Sequence, residues 1–324
     1  PHLPVPELRD TCAAFLETVR PILSEEDFHR TRVAVAEFEA GPGQEMQHVL
    51  LDYARDKDNY VDAFWDDAYL DFDDPVVINV NPYFVLEDDP TPERNEQLNR
   101  AAVLVFSLCK FVRAVRTETL EPDMVRKTPL CMSQFAKVLG SARIPHGAGV
   151  GKDRIVTAGN SRHILVLCRN QFYVLDVVDE DGSLLLTIDE LTEALASVRE
   201  DAMVCSDQDC ARSAVGVFTA QTRTYWAKQR QALLRLGAGN EAAIEAVDSA
   251  IFVLCLDMYA PADLSAAAAN ALRGTTVIAP SDKNGSGDPV ERGTCMSRWY
   301  DKLQLIVAEN GTAAVCFEHT PADD

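Results

Sequence analysis

The sequence predicts an α/β domain built on a mixed β-sheet flanked by helices, and three observations carry that prediction. Short β-branched apolar runs alternate with amphipathic stretches of helical period. Some neighbouring runs are separated by gaps of hairpin length, which a doubly wound parallel sheet would not contain. The chain has 324 residues, 47% of them hydrophobic, enough to cover both faces of such a sheet.

The stretch 24–39 opens on Ser24 as a helix cap, carries acids in its first turn and stops before Gly41-Pro42-Gly43. Pro75-Val76-Val77-Ile78-Asn79 reads as a strand from its β-branched run. Over 93–116, Leu98, Ala102, Val105, Leu108, Cys109 and Val112 share one face with charges opposite, the pattern of an amphipathic helix. His163-Ile164-Leu165-Val166-Leu167 and Phe172-Tyr173-Val174-Leu175-Asp176-Val177 read as strands across Arg169-Asn170-Gln171, and Ile251-Phe252-Val253-Leu254-Cys255 as another. Leu264-Ser265-Ala266-Ala267-Ala268-Ala269 reads as helix, and the Gly- and Pro-rich 278–294 as an exposed loop. The last element is a hairpin of 303–309 with 312–319 across Asn310-Gly311, the pair best suited to a type I′ turn, and its second strand ends on His319.

Lys and Arg number 30 against 51 Asp and Glu, a formal net charge of −21. That field repels phosphate backbones and anionic membrane surfaces, so no nucleic acid is expected as a partner. No apolar run is long enough for a transmembrane segment, and Pro1-His2-Leu3-Pro4 lacks the features of a signal peptide. The first residue is not Met, which suggests a true N-terminus lying upstream. The aspartates crowded into 52–74 read as a solvated acidic face. Nine cysteines are scattered through apolar runs, the usage of a reducing compartment; Cys205 and Cys210 have no matching pair nearby and read as two thiols in a loop before they read as a zinc site.

Of the six histidines, His2, His29, His48 and His146 stand in polar or terminal contexts suited to the surface, and His163 opens an apolar strand where a hydrogen-bonded structural role is expected. His319 directly follows an acid at the end of a strand, within Phe317-Glu318-His319-Thr320-Pro321-Ala322-Asp323-Asp324. A general base held at a rigid strand tip beside a cleft has this form, and so does a structural histidine. No Gly-x-Ser-x-Gly elbow, phosphate loop, dinucleotide fingerprint or His-Glu-x-x-His helix is present; Gly147-Ala148-Gly149-Val150-Gly151-Lys152 reads as an ordinary loop.

Glu318-His319-Thr320-Pro321-Ala322-Asp323, following Arg298-Trp299-Tyr300-Asp301-Lys302, resembles the active-site segment of the carnitine/choline acyltransferase family. Leu3-Pro4-Val5-Pro6-Glu7-Leu8 resembles the family's opening, and Ala68-Tyr69-Leu70 with Pro75-Val76-Val77-Ile78-Asn79-Val80-Asn81-Pro82 its tryptophan-tyrosine region. Pro129-Leu130-Cys131-Met132-Ser133-Gln134-Phe135 with Arg143-Ile144-Pro145, Arg223-Thr224-Tyr225-Trp226-Ala227 and Ile251-Phe252-Val253-Leu254-Cys255-Leu256-Asp257 agree in order. The short stretch between Met124 and Cys131 is similar to the acetyl-transferring members. Trp65-Asp66-Asp67-Ala68-Tyr69 and Asn79-Val80-Asn81-Pro82-Tyr83 look closer to the mitochondrial palmitoyl-transferring member.

The resemblance implies a domain related to the chloramphenicol acetyltransferase fold, with 1–324 as the N-terminal half bearing the catalytic histidine. It implies that a C-terminal CoA- and carnitine-binding domain, absent from this chain, supplies the oxyanion donor and most CoA contacts, so that this chain alone is inactive. The implied reaction is reversible transfer of a short acyl group between coenzyme A and the carnitine hydroxyl, with no metal, no covalent enzyme intermediate and no tightly bound cofactor. Choline O-acetyl transfer and a truncated, non-catalytic binding domain stand as alternatives. His319 matches the catalytic base, Trp65 and Tyr69 the wall of the carnitine pocket, Pro82 a residue near the reacting centre, and Asp323 an acid that orients an arginine of the other domain. Core packing is the alternative for Trp65 and Tyr69. Thr320-Pro321 and Asp324 depart from the family's usual small residues and glycine. The implied location is the mitochondrial matrix or the peroxisome.

Overall fold

A computed structural model describes residues 2–146, 151–280 and 289–321, and the chain divides into two compact units, 1–65 and 66–324. The first unit is helical, with Leu8–Val19, Glu25–Ala40 and Pro42–Ala54. Ser24 caps the second helix as the sequence predicts, its hydroxyl accepting the Asp27 N–H at 3.1 Å. Gly41-Pro42-Gly43 both stops that helix and starts the next, because Pro42 at the first helical position needs no N–H partner.

In the second unit the strands in chain order are β1 (Tyr83–Val85), β2 (Met124–Val125), β3 (Thr128–Pro129), β4 (Ser141–Ile144), β5 (Arg154–Thr157), β6 (His163–Cys168), β7 (Gln171–Asp176), β8 (Val253–Leu256), β9 (Val277–Pro280), β10 (Pro289–Arg292), β11 (Gln304–Val307) and β12 (Ala313–Cys316). Six of them form one sheet in the order β1-β12-β11-β8-β6-β7. β8 is parallel to both β6 and β11, while β7, β12 and β1 join antiparallel, which is the mixed sheet expected. Alternate side chains of the central strands feed two cores. Ile164, Val166, Leu254 and Leu305 pack with Val105, Cys109, Leu191 and Leu195 of the helices Gln97–Arg116 and Ile188–Val204. Leu165, Leu167, Val253 and Ile306 pack on the other face with Trp226, Ala271 and Trp299. Burial on both faces explains why these strands read as continuous apolar runs and not as alternating ones.

Four local expectations change. Pro75–Asn79 is not a strand: Val76–Asn79 is a kinked turn in which the N–H groups of Val80 and Asn81 both donate to the Val76 carbonyl, and Ile78 has φ 70°. Val76 is fully buried and Asn81 donates to the Tyr300 carbonyl at 2.7 Å, so tertiary contacts override the β-branched run and the strand begins only at Tyr83. The 163–177 hairpin turns on two residues, because Gln171 pairs with Cys168 and both Arg169 and Asn170 take left-handed φ. At the last hairpin the Asn310-Gly311 pair sits in a three-residue loop instead. Gly311 N–H donates to the Ala308 carbonyl and Gly311 alone is left-handed, at φ 82°, which is the type I turn plus bulge. Finally, β12 ends at Cys316, three residues before His319. The 278–294 segment contains β9 and β10 at its ends, and its middle, with Gly147 to Val150 of the glycine-rich loop, lies outside the described residues.

Candidate active site

β12 runs antiparallel to β11, with Cys316 opposite Gln304, so the chain beyond β12 emerges where β6, β8 and β11 begin. At that end Phe317 N–H donates to the Pro82 carbonyl at 3.3 Å, one last bond to the segment before β1. The backbone then bends through Glu318, His319 and Thr320. Glu318 is buried and folds its carboxylate forward, Oε2 accepting the Thr320 N–H at 3.0 Å and Oε1 the Thr320 hydroxyl at 2.7 Å. His319 between them is half-buried, its ring centroid 5.4 Å from that of Tyr69 and 6.3 Å from that of Phe317.

Beneath this loop lies a chain of buried ion pairs. Arg143 on β4 donates from Nε to Asp153 at 2.7 Å, from Nη1 to Glu318 at 3.0 Å and from Nη2 to the Tyr69 carbonyl at 2.9 Å. Arg223 donates to the same Asp153 oxygen at 2.6 Å and to Asp301 at 2.7 Å, and Asp301 also accepts the Trp226 indole N–H at 2.7 Å. Every charge in the chain meets an opposite one, the condition for keeping ions out of water. Burial pushes the Glu318 carboxyl up, against the pull of Arg143 and Thr320. Lys302 lies fully buried alongside, donating to the Ser141 carbonyl at 2.9 Å and the Asp248 carbonyl at 2.7 Å. Burial lowers its ammonium to about 7, although Asp248 and Asp301 pull the other way. A mostly apolar cavity of about 320 Å3 adjoins the loop, lined by Phe84, Val315, Phe317, Glu318 and Pro321 among others.

The structure therefore brings His319, Tyr69 and Pro82 together. Trp65 is half-buried on the helix Asp62–Leu70, four residues before Tyr69, and is the last residue of the first unit. Asp323 lies outside the described residues. His163 holds the structural role expected of it, with Nε2 2.7 Å from the Ala246 carbonyl. Burial pushes the Cys210 thiol up to about 11, and neither Cys205 nor Cys210 forms a disulfide among the described residues. Most of the 52–74 acids are solvated, but Asp73 accepts the Thr224 N–H and hydroxyl, both at 2.7 Å, at the start of the helix Arg223–Arg235. Sequence reasoning assigned no role to Arg143, Asp153, Arg223, Asp301 or Glu318. The available signal was the placing of charges inside apolar runs, as in Ser141-Ala142-Arg143-Ile144 and Trp299-Tyr300-Asp301-Lys302.

A histidine at the edge of a helix-covered mixed sheet, on a loop whose neighbouring Glu318 is tied to buried ion pairs, sits in a chain that belongs to the choline/carnitine O-acyltransferase family. The family model described as Choline/Carnitine o-acyltransferase matches residues 3–324. Among individual relatives, the putative mitochondrial carnitine O-acetyltransferase of Saccharomyces cerevisiae is 38% identical over 99% of this chain and 50% of its own length. The mitochondrial carnitine O-palmitoyltransferase 2 of Mus musculus and the carnitine O-acetyltransferase of Columba livia are each 34% identical, over 100% of this chain and 50% of their own. The chain thus spans about half the length of the curated relatives it matches. Among the described residues no helix is long and apolar enough to cross a membrane.

Proposed function

We propose that this chain carries the histidine half of a carnitine O-acyltransferase that moves a short acyl group reversibly between coenzyme A and the carnitine hydroxyl. The observation that carries this reading is the placement of His319: half-buried beside Tyr69, on a loop whose two flanking residues are tied to each other and to Arg143. His319 takes the carnitine hydroxyl proton as the oxygen attacks the thioester carbonyl, and the tetrahedral oxyanion forms. Collapse breaks the carbon–sulfur bond, and the imidazolium returns its proton to the departing CoA thiolate. Imidazole suits both directions because its ordinary pKa lies near physiological pH.

Tyr69 and Trp65 form the aromatic wall for the trimethylammonium group, whose diffuse charge is attracted to ring faces. Pro82 borders the reacting centre, and Asp323 orients an arginine outside this chain. The oxyanion donor and the CoA and carnitine-carboxylate contacts belong to a second, C-terminal domain; the half-length match to the relatives supports that division. Carnitine is favoured over choline by the names of the relatives, and the word mitochondrial in two of them supports a mitochondrial location over a peroxisomal one. A long acyl chain is the second reading, favoured by the full-length match to the palmitoyl-transferring relative.

The test is His319→Ala in the full-length protein, assayed with acetyl-CoA and carnitine, then with palmitoyl-CoA and with choline. We expect transfer to fall by roughly a thousandfold or more with an unchanged melting curve. Turnover within tenfold of wild type would remove His319 from the mechanism, and equal activity of residues 1–324 alone would remove the second domain.

A further inference from the structure

We propose that Arg143 is a positioning residue for the transfer reaction, holding the His319 loop and the Tyr69 helix end in one fixed relative geometry. The inference rests on the acyltransferase reading above and concerns what keeps that site in register. The Arg143 side chain is wholly excluded from solvent, and its donors diverge to three separate parts of the chain: Asp153 at 2.7 Å, Glu318 at 3.0 Å and the Tyr69 carbonyl at 2.9 Å. Glu318 relays the constraint across His319 by accepting both the N–H and the hydroxyl of Thr320. His319 is therefore flanked on both sides by backbone that Arg143 controls, while the same guanidinium holds the backbone of the residue whose ring lies 5.4 Å from it.

The support is rigid. Arg143 N–H donates to the Asp301 carbonyl at 2.9 Å, and Arg223 shares the Asp153 oxygen that fixes Nε, so the plane of the fork cannot swing. A lysine could not replace it, since an ammonium is a point charge on a flexible stem and cannot hold three divergent acceptors in one plane. A general base earns its rate only at hydrogen-bond reach of the proton it takes, so a small displacement of this loop acts on turnover before it acts on binding.

The experiment uses the full-length protein with acetyl-CoA and carnitine, comparing Arg143→Lys, Arg143→Met, Glu318→Gln, Glu318→Ala and the double variant Arg143→Met/Glu318→Gln, each with a melting curve. Arg143→Lys is expected to lower kcat about tenfold or more with both KM values within about twofold of wild type. Arg143→Met leaves Glu318 buried without its cation and should melt early; the double variant removes that unpaired charge and should regain most of the lost Tm. Its kcat should nevertheless stay roughly 30- to 100-fold down, which a merely structural role does not predict. Glu318→Gln keeps an acceptor toward Arg143 and the Thr320 hydroxyl but sets an amide donor against the Thr320 N–H, so its kcat should fall to an intermediate level, about three- to tenfold down, whereas Glu318→Ala should behave as Arg143→Lys does or worse. A double variant with restored Tm and wild-type kcat overturns the proposal, as does a fully active Arg143→Lys. If His319→Ala itself retains turnover, the acyltransferase mechanism fails; if His319→Ala is dead while the double variant is fully active, only the positioning role fails.

Discussion

At the end of the sheet where β6, β8 and β11 begin, Arg143 divides its donors among three parts of the chain; where β8 finishes, Arg298 turns both terminal nitrogens onto one carboxylate. Arg298 grips Asp257 at 2.7 and 2.8 Å, and Asn270 of the helix Leu264–Arg273 adds a third bond to that carboxylate at 2.7 Å. Gln97 donates to the Asp257 carbonyl at 2.7 Å, so the helix Gln97–Arg116 is tied to the same point. Both arginines are fully buried. The pair at Asp257 ties the residue after β8 to the segment before β11 and to two helices, whereas the cluster at Arg143 supports a bend that carries the candidate base. On the proposed reading, buried ion pairs serve stability at one end of the sheet and geometry at the other.

The largest effect that would sharpen this contrast is on the Asp257 end. Arg298→Met leaves Asp257 buried and uncompensated and should cost about 3–5 kcal/mol in urea unfolding, while kcat of the folded fraction stays at the wild-type value. A loss of kcat out of proportion to unfolding would show that the two ends are coupled. At the His319 end, Lys302→Met tests the buried ammonium. Between pH 7 and its ordinary value of 10.5 the unfolded chain holds a proton that the folded chain has released, so wild-type stability rises with pH in that window. The gain of wild type over Lys302→Met should approach about 1.4 kcal/mol per pH unit between pH 7 and 9, read from unfolding curves at several pH values. Parallel pH profiles for the two proteins would mean that Lys302 keeps its proton in the folded chain across that window.

A smaller effect is expected at the hairpin turn beyond β11, on the Asp257 end. Gly311→Ala puts a side chain at φ 82°, where its Cβ would collide with the Asn95 carbonyl, and should destabilise by about 2 kcal/mol without touching turnover. The smallest effect falls on the His319 end again. Tyr69→Phe should raise the KM for carnitine about fivefold, on the order of 1 kcal/mol, and leave the KM for acetyl-CoA unchanged. Trp65→Ala should raise it further, because wall area is lost with the ring. A lowered Tm with an unchanged carnitine KM would return both aromatics to a packing role.

Much of the scaffold was legible because its signals are local. The apolar stripe within 93–116, the Ser24 cap and the apolar runs of β6, β8 and β11 each depend on residues a few positions apart. The conflict came where local preference met a tertiary demand. Val76-Val77-Ile78 has strand composition, yet the burial of Val76 and the Asn81 bond to Tyr300 hold it in a turn that delivers Pro82 to the sheet edge. Asn310-Gly311 marked a turn correctly but not its type, since the loop length was set by the pairing of Val307 with Ala313.

By itself the sequence determined the class of fold, the order of its main elements and His319 as the residue to watch, because periodicity, caps and a family-like segment are all written in neighbouring residues. Only the tertiary structure decided which buried residues tie down the loop around that histidine. The bonds that do so join residues 10, 70, 74, 78 and 175 positions apart, from Arg143 to Asp153 and from Arg143 to Glu318. In sequence, charges set inside apolar runs, as Arg143 and Asp301 are, hint at burial, but nothing there says which Arg, Asp and Glu meet. Burial gives them their meaning: removed from water, each charge must find its opposite, and the fold fixes which ones meet.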